Sequence, residues 1–447
     1  MVTDPVRRIR GERYDLPVTF GVRDVLRRLA AKDPSLDAPY LTITLDWRPA
    51  GDDPGRAAAP MPPPSERRAR RGEEGAMRRP ARAEIRRQIL ELLADAGPRG
   101  AAVESLSEDV ERMAAFVDEE LDPSVQGVYL TACSARDVFE PLTFAIPMPT
   151  ALAVGPTPAL ALLARFVDDH PAYAVLVADQ REAILSDIRR ATRGQSLQFE
   201  STIFPRKQKA GALNQKRYQN RADERVAAFA RVVADETQRR LDEEGIEQLI
   251  VAGNEVMTSA LDAAFSPQLK EKIVAVIRLD ITASEQDVID ATLPLVEDAE
   301  RAREQETVQA IADAVGADDR GAAGAAGVLR ALQNHQVTEL AITDDFTAQG
   351  WADYGRETYG IGPVPEEHPP GGDIADLVAV DLFEAFTRLA LRGGAEIEII
   401  HSAVPVADDE DESVPRAGAP APRTEAATRL DALGGVGALL RYTVEPA

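Results

Sequence analysis

Sulfur and imidazole are scarce in this chain. Of 447 residues one is cysteine and four are histidine, so Cys133 has no partner for an internal disulfide and no cysteine-based zinc site can form. His170, His335, His368 and His401 lie far apart in sequence, without the spacing at which two imidazoles on one helix share a metal. This scarcity predicts a protein of a reducing compartment with no metal and no cofactor. Long apolar runs are missing too. Hydrophobic residues make up 44% of the chain, enough for sizeable cores, yet no stretch approaches the ~20 apolar residues of a membrane span. The opening MVTDPVRRIRGERYD lacks the apolar segment of a secretory signal, and the expectation is a soluble cytoplasmic protein without a membrane partner.

Net positive charge is also lacking. With 51 Lys+Arg against 75 Asp+Glu the formal charge is -24, which argues against a protein that coats nucleic acid with its whole surface. The charge is unevenly spread, however. Residues 56–87 carry ten arginines and four glutamates, a net of +6. Residues 189–225 carry Arg189, Arg190, Arg193, Arg206, Lys207, Lys209, Lys216, Arg217, Arg221 and Arg225 against Glu200, Asp223 and Glu224, a net of +7. Subtracting both from -24 leaves -37 on the remainder, an acidic body with two basic features able to turn one face towards a polyanion. The first island, GDDPGRAAAPMPPPSERRARRGEEG, has no apolar periodicity and reads as a flexible Pro/Arg-rich loop. The second lies inside a patterned segment.

The patterning predicts three domains in an α/β fold. In residues 1–150, an α+β part with the basic loop at about 50–80, helices are expected at 22–31, 82–95 and 103–121 and strands at 40–46, 127–132 and 138–146. PMPTALAVGPTP, with four prolines in twelve residues, reads as a linker at the domain boundary. Residues 151–316 alternate strands with helices: a hairpin from AYAVLVAD and REAILSDI, a strand in LQFESTIF, and a long helix over about 213–243. Beyond it the pattern predicts strands at 248–253 and 273–281 and helices at 254–264 and 284–315. Residues 317–447 form a second α/β sandwich, with strands at 337–343 and 395–401, a helix at 374–392 stopped by Gly393-Gly394, and a final strand in LGGVGALLRYTV.

Among candidate sites, PRKQKAGALNQKRYQNRADERV (205–226) is the most informative. A basic loop containing Gly211 runs into the long helix near Leu213 or Asn214, with Gln215, Lys216, Arg217, Tyr218 and Arg221 in its first two turns. Unpaired N–H groups at a helix start favour phosphate, as do the cations of Arg206, Lys207, Lys209, Lys216, Arg217 and Arg221, and Tyr218 offers a ring on which a base could stack. A solvated basic helix face with Asn214 as its cap would give the same pattern. GADDRGAAGAAG (316–327) lacks the Lys-Ser/Thr ending of a phosphate loop and reads as a flexible interdomain turn. Asp344-Asp345 reads as turn chemistry, His170 before a proline as structural, and the acidic run 408–412 as a solvated loop. No Gly-x-Ser-x-Gly nucleophile motif is present.

The order of these parts resembles peptide-chain release factor subunit 1 and Pelota, the archaeal and eukaryotic proteins that enter the ribosomal A site, and more closely their bacterial relatives. The similarity covers most of residues 150–447. It rests on VGPTPALALLARFVDDHPAYAVLVAD, KAGALNQKRYQNRADERV, QLIVAGNEVMTSAL and GGVGALLRYTV, in that order. The resemblance implies a three-domain release-factor/Pelota-like architecture, with an RNase H-like central domain and a ribosomal-protein-like C-terminal α/β sandwich. In release factors a Gly-Gly-Gln tripeptide before the long helix orients a water onto the peptidyl-tRNA ester. Aligned on Arg217-Tyr218, that place holds Gly211, Ala212 and Leu213, and a leucine side chain neither donates nor accepts a hydrogen bond. Gln215 matches instead the glutamine of the Gly-x-x-x-Gln pattern in the bacterial relatives and in the ankyrin-repeat, zinc-finger tRNA-hydrolase branch.

Two functions follow from the resemblance and both stay open. The first is a noncatalytic factor that occupies the A site with its basic tip near the peptidyl-transferase centre, in a rescue or hibernation role like that of Balon, with ribosomal RNA and EF-Tu as partners. The second is a hydrolase acting on the acceptor end of peptidyl-tRNA on stalled ribosomes, with Gln215 as the catalytic positioning residue. A stress-associated protein that inherited the fold without ribosome contact is the third possibility.

Overall fold

The computed structural model describes residues 6–10, 22–48, 101–119, 121, 125–144, 146–170, 172–189, 192–201, 215–369, 371–403 and 422–442. It is a mixed α/β protein with several sheets. The chain divides into two compact units, one of residues 1–16 with 169–303 and one of residues 17–168 with 304–447.

The first unit is built on a six-stranded sheet in the order Val6–Arg10, Thr192–Ser201, Glu182–Arg189, Ala172–Ala178, Gln248–Gly253, Ile273–Ile277. Neighbours are antiparallel as far as Ala172–Ala178, and from there the last three strands run parallel. The hairpin between Ala172–Ala178 and Glu182–Arg189 is set by Asp179, whose Oδ1 accepts from the N–H groups of Arg181 and Glu182, both at 2.7 Å. The run AYAVLVA is apolar without alternation because both faces of its strand are covered. One face packs on the helix Gln215–Glu244 through Val226, Phe229, Ala230 and Val233, and on Glu255–Ala264 through Met257 and Leu261. The other face packs on Ile289 and Val296 of the helix Glu285–Gly316. Where Gln248–Gly253 ends, a Cβ on Gly253 would stand 2.0 Å from the carbonyl oxygen of Ala178 and the backbone has φ +149, so only glycine fits. The next residue, Asn254, caps the following helix by accepting from the N–H of Met257 at 3.0 Å.

The second unit holds three sheets. An antiparallel sheet orders Val138–Phe144, Gly127–Cys133, Tyr40–Asp46 and Ala151–Gly155. A second orders Gly321–Ala323, Val436–Leu440, Val337–Thr343 and Glu396–Ile400, the last pair parallel. A third orders Thr358–Ile361, Gln349–Asp353 and Leu377–Asp381, all antiparallel. The helix Leu382–Gly393 buries Phe383, Phe386 and Leu389 in the core of the C-terminal part, and its Leu391 reaches the core formed by Leu26, Phe144 and Phe166. Asp381 caps its start by accepting from Phe383 N and Glu384 N, and Gly394 ends it at φ +69, as the Gly-Gly pair predicts.

Three expectations need correction. PMPTALAVGPTP is not a bare linker: its prolines flank five residues that form the strand Ala151–Gly155, paired with Tyr40–Asp46. The helix expected over 374–392 begins only at Leu382, because Leu377–Asp381 pairs with Gln349–Asp353 and Asp381 is the cap. The Gly-rich run at 316–327 is not a free turn but contains the strand Gly321–Ala323 and the start of the helix Gly324–Gln333. The expected helix at 82–95, the basic loop at 50–80 and the acidic run 408–412 lie outside the described residues.

Candidate nucleic-acid interface

The long helix of the first unit positions the basic segment. It runs over 30 residues, Gln215–Glu244, about 45 Å at ~1.5 Å per residue. Its apolar positions Val226, Phe229, Ala230, Val233, Ala234 and Leu241 recur at helical spacing and all are buried, so this part lies on the sheet. Gln215, Lys216, Arg217, Tyr218 and Arg221 precede that stripe, within the first two turns of the same helix. The helical backbone therefore brings those five positions together, with 217 and 221 one turn apart. Arg206, Lys207, Lys209, Gly211 and Asn214 lie outside the described residues.

The other end of the helix is fixed by ion pairs. Arg240 holds Asp187 of the strand Glu182–Arg189 at 2.8 Å, with side chains 13% and 3% exposed, and also pairs with Glu244. Arg239 pairs with Glu236, and with Glu243 at 2.5 Å. Lys272 reaches Asp242 at 3.5 Å and Glu247 at 3.3 Å.

The charges of this helix run against its dipole. Its first turn has no acid and its last turn no base. Lys216 and Arg217 stand at the positive end, and Asp242, Glu243 and Glu244 at the negative end. Both placements cost free energy in an isolated helix, by a few tenths of a kcal/mol to about 1 kcal/mol per charge. At the acidic end Lys272, Arg239 and Arg240 offset the cost.

The other residues singled out in the sequence have structural partners. Asp345 pairs with Arg423 at 2.7 Å, and Arg423 also holds Asp431 at 2.7 Å; this hydrogen-bonded pairing keeps the Asp345 carboxyl below its ordinary range. Asp344 Oδ1 accepts from the N–H of Ser402. His368 Nε2 lies 3.0 Å from Asp353 Oδ2, both side chains buried, and His401 Nδ1 lies 2.6 Å from Glu304 Oε1. Among the described residues no group of three or more His, Cys, Asp or Glu side chains could hold a metal ion, and no helix is long and apolar enough to cross a membrane. Sequence reasoning missed the Arg240–Asp187 anchor. Its one signal was the polar pair Ser186-Asp187 within the otherwise apolar interior of EAILSDIR.

Comparison with known proteins finds a family similar to this segment. Residues 158–297, which include the whole Gln215–Glu244 helix, match the family model of bacterial archaeo-eukaryotic release factor family 10. No curated protein matches the chain. Among solved structures, Pelota of Archaeoglobus fulgidus is 17% identical with a TM-score of 0.28, over 72% of this chain and 80% of that one. Dom34 of S. cerevisiae, a translation termination-like factor, is 12% identical with a TM-score of 0.39, over 72% and 80%. An archaeal translation termination factor, aRF1, is 15% identical with a TM-score of 0.22, over 94% and 98%. Over residues 158–297, then, this chain is similar to bacterial archaeo-eukaryotic release factor family 10.

Proposed function

We propose that this chain is a translation factor that binds the ribosome and inserts the basic start of its long helix among ribosomal RNA phosphates, as a noncatalytic occupant of the A site in hibernation or rescue. The observation that carries the reading is the helix whose first turns are basic against its own dipole, in a chain of net charge -24. An RNA phosphate at that helix start turns an unfavourable self-interaction into a favourable contact. The family match over residues 158–297 supports it. Leu213 in place of a hydrogen-bonding side chain favours occupancy over ester hydrolysis.

Co-sedimentation with ribosomes, with and without EF-Tu, tests the proposal. The wild type should pellet with ribosomes at low salt, and reversing Lys207, Lys209 and Arg217 to glutamate should weaken binding and flatten its salt dependence. No co-sedimentation at low salt removes every ribosomal reading, including hydrolysis on stalled complexes. The hydrolase reading is favoured by the position of Gln215 as the first residue of the helix. On that reading Gln215→Ala abolishes peptidyl-tRNA cleavage while binding persists; on the occupant reading the wild type does not cleave.

A further inference from the structure

Residues 158–168 close the first segment of the second unit, and they are tied to its second segment by a long-range device. The helix Ala161–Asp168 follows Leu160, whose carbonyl accepts from the N–H of Ala164. Its first N–H groups are taken by a residue more than two hundred positions away: Glu384 Oε1 accepts from Leu160 N and Oε2 from Ala161 N, both at 2.8 Å. Neighbouring bonds hold the same stretch, Tyr129 Oη donating to Ala159 O at 2.9 Å and Ala159 N donating to Thr42 Oγ1 at 3.2 Å. Beside them Arg165 lies over the ring of Phe383 at 3.9 Å. The stretch then runs directly into Ala172–Ala178, the first strand after it.

We infer that Glu384 is a protonation-controlled latch on this stretch: ionised, its carboxylate holds the N–H groups of both Leu160 and Ala161, and protonated, it loosens one of them. A carboxylate has a strong acceptor oxygen for each donor, whereas in a carboxylic acid the protonated oxygen is a much weaker acceptor, so one of the two N–H bonds loosens. The surroundings of Glu384 are mixed. Asp381 and Arg388 flank it on its own helix, Tyr129 faces it from the four-stranded sheet, and Tyr354 faces it from the turn after Gln349–Asp353. Arg388 is itself held by donating to the carbonyl of Lys32. Burial is the largest influence on Glu384 and, with Asp381, pushes its carboxyl up to about 7, against the two N–H groups and Arg388, which pull it down. The latch therefore switches within the physiological range.

Two opposite trends distinguish this device from an ordinary cap. The folded-state value lies above the ordinary 4.5, so the folded chain binds a proton that the unfolded chain releases, and global stability falls as pH rises from 4.5 through about 7. Over the same interval the local cap tightens. The experiment is amide hydrogen exchange on the full chain between pH ~5 and ~9, corrected for intrinsic rates, together with thermal unfolding over that range. Protection at Leu160 and Ala161 should rise several-fold through neutral pH in the wild type and stay flat in Glu384→Gln, whose amide offers one acceptor. The melting temperature of the wild type relative to the variant should fall over the same range. Equal pH dependence of protection in both proteins overturns the proposal. If Glu384→Gln fails to fold, carbon-13 titration of the wild-type side-chain carboxyl decides: a midpoint near neutrality that tracks the protection supports the latch, and an ordinary glutamate midpoint overturns it.

Discussion

At the scale of single residues, the strongest constraints join positions far apart in sequence. Asp187 is 2% exposed and meets Arg240 from the long helix at 2.8 Å. Removing the guanidinium leaves a carboxylate in a place water hardly reaches, so Arg240→Ala should destabilise the fold by roughly 3–5 kcal/mol, read as a lowered urea midpoint. Arg239→Ala, which removes pairs from a half-exposed arginine, should cost under ~1 kcal/mol. Short-range chemistry was legible beforehand: Gly393-Gly394 as a helix stop follows from residues within a few positions, whereas Asp344 and Asp345, read as turn chemistry, find their partners at Ser402 and Arg423. Glu384 on Leu160, His368 on Asp353 and Arg240 on Asp187 were not, because no local pattern tells a carboxylate which distant donor it will meet.

At the scale of elements, the long helix is the informative one. Its apolar stripe begins at Val226 and its charges oppose its dipole before that point, so stability and binding should separate along its length. Lys216→Glu with Arg217→Glu should raise thermal stability slightly, by about 0.3–1 kcal/mol per charge, while abolishing co-sedimentation with ribosomes. Phe229→Ala should do the reverse, costing about 3–5 kcal/mol with no direct effect on RNA contact. Loss of both properties in the charge-reversed protein would mean that the basic turns belong to the core. The same periodicity made this helix readable from sequence, as it did Glu285–Gly316 and Leu382–Gly393 in part. Short elements were hidden by composition. Ala151–Gly155 sits among prolines, and the hairpin Gln349–Asp353 with Thr358–Ile361 has too few residues for alternation to stand out. Pairing, not propensity, makes these strands.

At the scale of the whole molecule, the total charge of -24 is a poor guide, because it averages an acidic body with basic islands. The family match confines itself to residues 158–297, largely the stretch between the two segments of the second unit. That second unit is interrupted: residues 17–168 are made before the first unit is complete, and residues 304–447 after it. The interruption bears on synthesis. A ribosome that has just finished residue 303 has delivered every strand of the six-stranded sheet, but the core around Phe144 and Phe166 still lacks Leu391 and the first turn at Leu160 still lacks Glu384. Nascent chains stalled there should show a protease-resistant band for the first unit and a more readily digested 17–168 segment, which gains resistance once residue 400 has emerged. The N-terminal third can close most of its core on its own residues, but the Leu391 side chain and the Glu384 carboxylate reach it only when the last third arrives, so its final packing is set late in synthesis.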